Sequence, residues 1–369
     1  MNIFFSKMLT PFVVLTLALA VAPQSRADAR PPIERVDATV RDEIGRVSQP
    51  DKEKDGVDDI ALPLVGYNSD ELLGFGVTGG AFIYEPGYAP YKHALAAQAY
   101  FTTGGVRSHF FRYDGPNFLG SGLRLESRLE FRREKFAPYY GPGNDASPEF
   151  RGRPMPGEEL GHGRGPHGRH PYTFDKLYWG GWARVRLPKN EGLFNAEPYV
   201  GYAFRQNRID AEDWTLLARQ QPNGIDGGPT GQLLMGLIWD NRNDDTAPTR
   251  GGSLELSMRL AAPVTGSAYT YAQLTASARK FIPLHRRVVF AQRIVGDVLL
   301  GDVPFFEWQN IGGMFPAEGI GGLSSVRGLE RMRYVGTSKV LSNSELRFTF
   351  FEPELFGQTT SFGSVAFLD

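Results

Sequence analysis

Leu123-Arg124-Leu125-Glu126-Ser127-Arg128-Leu129-Glu130-Phe131-Arg132 alternates at every position. One set of side chains reads Leu, Leu, Ser, Leu, Phe; the other reads Arg, Glu, Arg, Glu, Arg. A helix would scatter these residues around its circumference, whereas a strand puts every charge on one side. Ser253-Leu254-Glu255-Leu256-Ser257-Met258-Arg259-Leu260 repeats the scheme, and so does Glu345-Leu346-Arg347-Phe348-Thr349-Phe350. A strand of a soluble sandwich also alternates, with its apolar face turned inward. The content of the polar face separates the two cases. Rows of Arg and Glu of alternating sign suit a wet barrel lumen, where neighbouring strands pair them.

Working outward from that stretch, period-two segments recur near 60–67, 72–84, 92–103, 107–115, 122–134, 176–187, 196–209, 230–241, 252–262, 269–281, 287–300, 338–351 and 359–369. Many exceed the ~5–6 residues of an ordinary globular strand and approach the ~9–11 that cross a bilayer. If the first strand runs outward, the connections at 135–175, 210–229 and 302–337 are outer loops. Those at 85–91, 188–195, 282–286 and 352–358 are inner turns. Long outer loops with short inner turns are the pattern of outer-membrane barrels. The expected fold class is all-β, a transmembrane antiparallel β-barrel occupying 60–369.

The N-terminus fits export. Lys7 followed by the apolar run Met8–Ala22 and small-x-small sites at Ser25-Arg26-Ala27 and Ala27-Asp28-Ala29 predicts a signal peptide over 1–29. Residues 30–59 are polar, with Pro31-Pro32 and the charge run Asp51-Lys52-Glu53-Lys54-Asp55, and read as a flexible periplasmic lead. There are 0 Cys, so an exported domain of this size is held by burial or strand closure rather than by disulfides. A net charge of -1 gives no case for a nucleic-acid partner.

The most informative loop is Asp302–Thr337, rich in Gly and carrying Ser324-Ser325-Val326-Arg327-Gly328-Leu329; the chain ends on Val365-Ala366-Phe367-Leu368-Asp369. A Val-Arg-Gly-aromatic/aliphatic tip followed by a Phe-x-Asp strand resembles the BamA/TamA/FhaC-type outer-membrane barrels, also called bacterial surface antigens. The resemblance implies a sixteen-stranded barrel whose loop between the eleventh and twelfth strands folds back into the lumen. Its Arg, here Arg327, would pair with the strand Asp, here Asp369, on the inward face shared with Phe367. Gly328 would permit the sharp tip. The family strand continues past this Asp, so the expectation is that three closing strands are missing, leaving two unpaired sheet edges. The thirty-residue lead has no room for the POTRA domains many members carry. A second family-like element is Asp240-Asn241-Arg242 followed by Pro248-Thr249-Arg250-Gly251, which recurs at an inner turn in two-partner-secretion and patatin-linked members; by itself it reads as a polar turn.

The resemblance implies location in the bacterial outer membrane and handling of polypeptides there, by insertion or translocation. Its partners would be outer-membrane lipid, unfolded polypeptide clients and the assembly machinery that inserts the barrel itself. The alternative is a passive pore or structural surface-antigen barrel without a client. No elbow of Gly-x-Ser-x-Gly type, phosphate loop or His-Glu-x-x-His occurs, so neither an enzyme nor a cofactor is expected. Asp51-x-Glu53-x-Asp55 resembles the start of a calcium loop, but position twelve is Leu62 and not a bidentate Glu, so a solvated acidic linker is the reading. His162, His167 and His170 lie among Gly and Pro that fix no geometry, which reads as a surface loop rather than a metal site. The aromatics of Phe136-Ala137-Pro138-Tyr139-Tyr140, with Trp179, Trp182, Tyr199 and Tyr202, divide between an interface belt and packing against the barrel.

Overall fold

The computed structural model describes residues 55–68, 72–88, 90–143, 172–244, 247–314, 316–322, 325–351, 354–355, 358–359 and 362–369. The expected leader at 1–29, most of the lead, and His162, His167 and His170 lie outside the described residues.

The described chain forms one antiparallel meander of thirteen strands in sequence order. They are β1 (Gly56–Asn68), β2 (Leu72–Tyr84), β3 (His93–Thr102), β4 (Arg107–Gly115), β5 (Arg124–Pro138), β6 (Thr173–Arg186), β7 (Glu197–Asp210), β8 (Gly228–Asp240), β9 (Gly251–Ala261), β10 (Tyr271–His285), β11 (Val288–Gly301), β12 (Ser338–Phe351) and β13 (Phe362–Leu368). Each pairs only with its sequence neighbours, so β1 and β13 are the edges of this sheet. β1 begins at Gly56, inside what the sequence assigned to the lead. β5 and β6 reach Pro138 and Thr173, each a few residues into the expected outer loop. Between β10 and β11 the turn tightens to Arg286-Arg287, with a bulge between Pro283 and His285.

The alternation seen in the sequence becomes two faces. On β5, Glu126, Arg132 and Glu134 are buried on the inner side, while Leu129 on the outer side is 65% exposed. Arg184 of β6 donates through Nε to Glu126 Oε2 at 2.7 Å, and Arg124 bonds Asp114 of β4. The parity also sorts the aromatics. Trp179 and Tyr202 face outward and are exposed, whereas Tyr199 is buried and donates to Glu255 Oε1 at 3.1 Å. Trp182 lies on the inner side with the Arg184 guanidinium over its ring at 4.4 Å.

The sheet must curl. In the loop between β11 and β12, Arg331 pairs with Glu134 of β5 while Arg327 pairs with Asp369 beyond β13. A flat sheet would set β5 and β13 about 38 Å apart at ~4.8 Å per strand. The backbone from residue 327 to residue 331 reaches at most about 14 Å. Only a sheet wrapped around the loop lets neighbouring residues touch both.

One end of the wrapped sheet carries the long connections, as expected. Helix α1 (Leu216–Gln220) lies between β7 and β8, with Thr215 Oγ accepting from Ala218 N at 3.3 Å. Helix α2 (Phe305–Trp308) opens the loop after β11. Ala137, Tyr139, Phe174, Leu216, Leu217, Phe305 and Phe306 form one buried cluster there. Tyr139 meets Phe305 edge-on at 5.6 Å and donates to Gln220 Oε1 at 2.8 Å. Burial pushes the Tyr139 phenol up to about 12. Tyr139, left open by the sequence between belt and packing, is a packing residue of this outer cap.

The outer face predicts an asymmetric mutational response. Leu129→Arg, midway along β5 on the convex side, should destabilise the protein folded in lipid vesicles by about 2–4 kcal/mol, the cost of a cation at bilayer depth. Denaturant titration of the vesicle-embedded protein measures it; a change within error would mean that this face does not meet hydrocarbon.

Candidate functional site: the clamped inner loop

The described residues of the 302–337 loop lie against the inner face and are held at four levels. Near the base, Asp297 of β11 accepts from Gln273 Nε2 at 2.7 Å, from the Thr275 hydroxyl and from the Gly312 amide at 3.4 Å. Lys339 of β12 lies 3.9 Å from the same carboxylate and donates to the carbonyls of Trp308 and Gly336 at 3.1 and 3.0 Å. A buried acid with this many donors stays satisfied without water.

The second level grips backbone. Met314 N donates to Glu255 Oε1 at 2.5 Å, Arg259 donates to the Gly313 carbonyl, and Arg184 Nη1 donates to Met314 O at 3.0 Å. Side chains from β6 and β9 thus hold two consecutive peptide units. Gly313 is required by close approach: a Cβ there would sit 2.1 Å from Ser257 Oγ and 2.2 Å from Glu255 Oε1. At the third level Lys176 Nζ bonds Gln309 Oε1 at 3.0 Å and Arg331 pairs with Glu134.

The fourth level is the tip. Arg327 donates from Nε to Asp369 Oδ2 at 2.7 Å and from Nη2 to Oδ1 at 2.6 Å, a bidentate fork, and its backbone N–H reaches Oδ2 at 2.9 Å. Its remaining Nη1 donates to Glu345 Oε1 at 2.7 Å. The guanidinium also lies over the Phe367 ring at 3.7 Å. The bonds to Asp369, then those to Glu345, raise the Arg327 pKa above the ordinary arginine value. Asn343 of β12 completes the arrangement, donating to Asp369 Oδ1 at 2.9 Å and to Ser325 O at 2.5 Å. Gly328 turns the chain at φ +92°, a conformation that side chains rarely adopt. Val326 packs against Val295, Ile311 and Leu341, while Leu329 is half-exposed.

The structure therefore brings Val326, Arg327, Gly328, Phe367 and Asp369 together and leaves Leu329 at the margin. The sequence did not single out Glu345, Asn343 or the Arg184–Glu255–Arg259 grip. Glu345 was legible as an inward residue from its alternation, but its pairing depends on a cross-strand register that one chain does not display.

The second motif sits apart, in the inner turn between β8 and β9. Arg242 folds back on Asp240, with Nη2 to Oδ2 at 2.6 Å and its amide to Oδ1 at 3.0 Å. Asn243 Oδ1 accepts from the amides of Thr249 and Arg250 at 3.0 and 2.9 Å. Pro248 is buried, and at Gly251 a Cβ would meet Asn241 O at 2.3 Å. Trp239 and Lys189 tie this turn to its neighbour before β7, through Leu193 O and Asp240 O at 3.2 Å each. It is a self-stapled turn at the opposite end from the outer cap.

Comparison with known proteins gives these features a family. Residues 168–369 match the Omp85 superfamily domain, more than half the chain. Among solved structures, BamA from Haemophilus ducreyi lacking POTRA domains 1-3 superposes with a TM-score of 0.50 at 17% identity, over 80% of this chain and 54% of that one. CdiB from Escherichia coli gives 0.51 at 12% identity, over 81% and 49%. At these identities the likeness is one of fold, and the chain spans about half the length of these solved chains. No curated protein matches it.

Removing the Arg327 side chain leaves Asp369 desolvated without its fork, a loss of about 1–3 kcal/mol. Arg327→Ala should therefore raise proteolysis of the 302–337 loop in membranes roughly tenfold, since 1.4 kcal/mol is a factor of ten. Unchanged cleavage would show that the other three levels hold the loop alone.

Proposed function

This chain belongs to the Omp85 superfamily of bacterial outer-membrane barrels, and from that premise we propose that it handles polypeptide at that membrane, by insertion or translocation. The observation that carries the proposal is the loop held on the inner face of the sheet, tip and base alike, beneath an apolar outer cap. A lumen filled in this way suits a barrel that works on a client chain rather than one that conducts solute. In this reading Arg327 is the pin, Asp369 its carboxylate and Phe367 the ring beneath it. Val326, Gly328 and Leu329 shape the tip that the pin holds.

The inner-turn residues Asp240, Arg242, Pro248 and Gly251 would keep the periplasmic rim rigid. Residues 1–29 act as the export signal and the polar residues after them as the lead, with the barrel domain starting at β1 (Gly56) rather than at 60. An unfolded client would add to an exposed sheet edge through backbone hydrogen bonds, the usual chemistry of strand addition. The barrel's own insertion would call on the outer-membrane assembly machinery, with membrane lipid as its solvent.

A client-handling barrel and a passive pore part company in a deletion strain. Loss of the gene should deplete a defined set of surface or outer-membrane proteins, read by quantitative proteomics of isolated outer membranes. The purified protein in planar bilayers should then lack large steady conductance. An unchanged proteome together with porin-like conductance would replace the proposal with the passive-pore reading.

A further inference from the structure

The convex face carries a basic row that neither the clamp nor the cap uses. Arg107, the first residue of β4, stands directly opposite Arg133 of β5. Arg133 stands opposite Leu177 of β6, and Leu177 opposite Arg208 of β7. All alternate with inward residues, and all sit at the end of the sheet that bears the long loops. Arg107 and Arg208 are exposed, and among the described residues no carboxylate pairs with either. Arg133 is 36% exposed in its side chain and lies 3.9 Å from Asp175.

Immediately toward mid-strand, the same face carries an aromatic row. His109 lies opposite Phe131, and Phe131 opposite Trp179. The rings touch in sequence: Phe101 to His109 at 4.7 Å and His109 to Phe131 at 5.7 Å, with Trp179 to Phe204 at 6.1 Å. Such a belt marks the level where hydrocarbon gives way to head groups. The arginines stand one residue pair above it, at head-group height. The other side of the sheet lacks them: the outward row near the same end of β9, β10 and β11 reads Leu260, Ala272, Leu300. The basic row is therefore a local feature and not a general collar.

Two guanidinium groups held opposite one another on adjacent strands repel. Asp175, on the same face opposite Asp210, lies 3.9 Å from Arg133 and leaves Arg107 open to a further anion. At head-group height the available anion is a lipid phosphate, which Arg binds through a bidentate fork. Strand spacing of ~4.8 Å lets Arg107 and Arg133 share one phosphate. Arg208, about 10 Å further along, reaches a second phosphate or the far side of a large head group. We propose that the outward face of β4–β7 is a binding site for a phosphorylated lipid of the outer leaflet, one phosphate on Arg107 and Arg133, the far side of its head group on Arg208 and its acyl chains on the aromatic row. The site does not depend on the client-handling reading and stands or falls separately.

The test is native mass spectrometry of the full-length protein extracted from bacterial outer membranes in mild detergent, followed by titration with lipid A and with enzymatically dephosphorylated lipid A. Wild type should retain lipid A and bind the dephosphorylated form at least tenfold more weakly. Arg107→Gln/Arg133→Gln/Arg208→Gln should lose retention by a similar factor, while Arg→Lys at the same three positions, which keeps the charge but not the fork, should lose less than the Gln variant. Lys280→Gln, an outward cation on β10, should change nothing. Equal retention by the triple Gln variant would overturn the proposal. So would complete displacement of lipid A by inorganic phosphate, which would reduce the row to a free-anion site. If the triple variant does not fold, Arg208→Gln alone, at an exposed strand end, decides: the proposal requires a measurable drop in its retention.

Discussion

A charged loop inside a curled sheet has to find a fixed partner for each of its charges, and Arg327 answers that constraint most completely. Its guanidinium is satisfied by Asp369 and Glu345 and is covered by the Phe367 ring. These partners come from the middle of β12 and the residue that follows β13, the last two strands of the described sheet. The contact therefore ties the loop tip to the final turn of the sheet, while Arg331 on the same loop reaches β5. The curl follows from that pair of attachments. A shallower sheet would leave one of them stretched and a buried acid without a donor, which is costly in a dry interior.

The interior is organised as a counter-surface to the loop. Glu126 and Arg184 answer one another across β5 and β6, and the spare donor of Arg184 goes to a loop carbonyl. Glu255 and Arg259 of β9 take the amide and the carbonyl of one peptide unit, that between Gly313 and Met314. Inward polar residues here recognise backbone rather than side chains. That explains why the loop sequence at this level is Gly312-Gly313-Met314: the grip needs exposed peptide groups, and Gly313 leaves no space for a side chain.

Much of this was legible beforehand. Period-two alternation with charges on one face located thirteen strands and their inner side, because pleating forces every second side chain to one surface. The tip Val326-Arg327-Gly328 and the strand end Phe367-x-Asp369 were visible as motifs. Other features were not. The roles of Asn343, Glu345 and Asp297 depend on register, and register arises between strands rather than within one. The outer cap was hidden as well: Tyr139, Phe174, Leu216 and Phe305 are far apart in the chain, and each taken singly is an unremarkable aromatic or aliphatic residue. Trp179 and Tyr199 were undecided because an aromatic can serve on either face of a strand; parity within β6 and β7 decided them.

The cap and the clamp share one segment of chain. Phe305 and Phe306 are buried among the residues that close the outer end, and Arg327 lies about twenty residues further along the same loop, bound near the last strands. Between them Gly312, Gly313 and Met314 are hydrogen-bonded to β11, β6 and β9. A segment fixed at entry, middle and tip has no slack with which to move one part alone. Unlatching the mouth and withdrawing the tip are then a single cooperative event, and thermal fluctuations too small to break every attachment open neither. In engineering terms the molecule has an interlock: its door and its bolt are cut from the same bar.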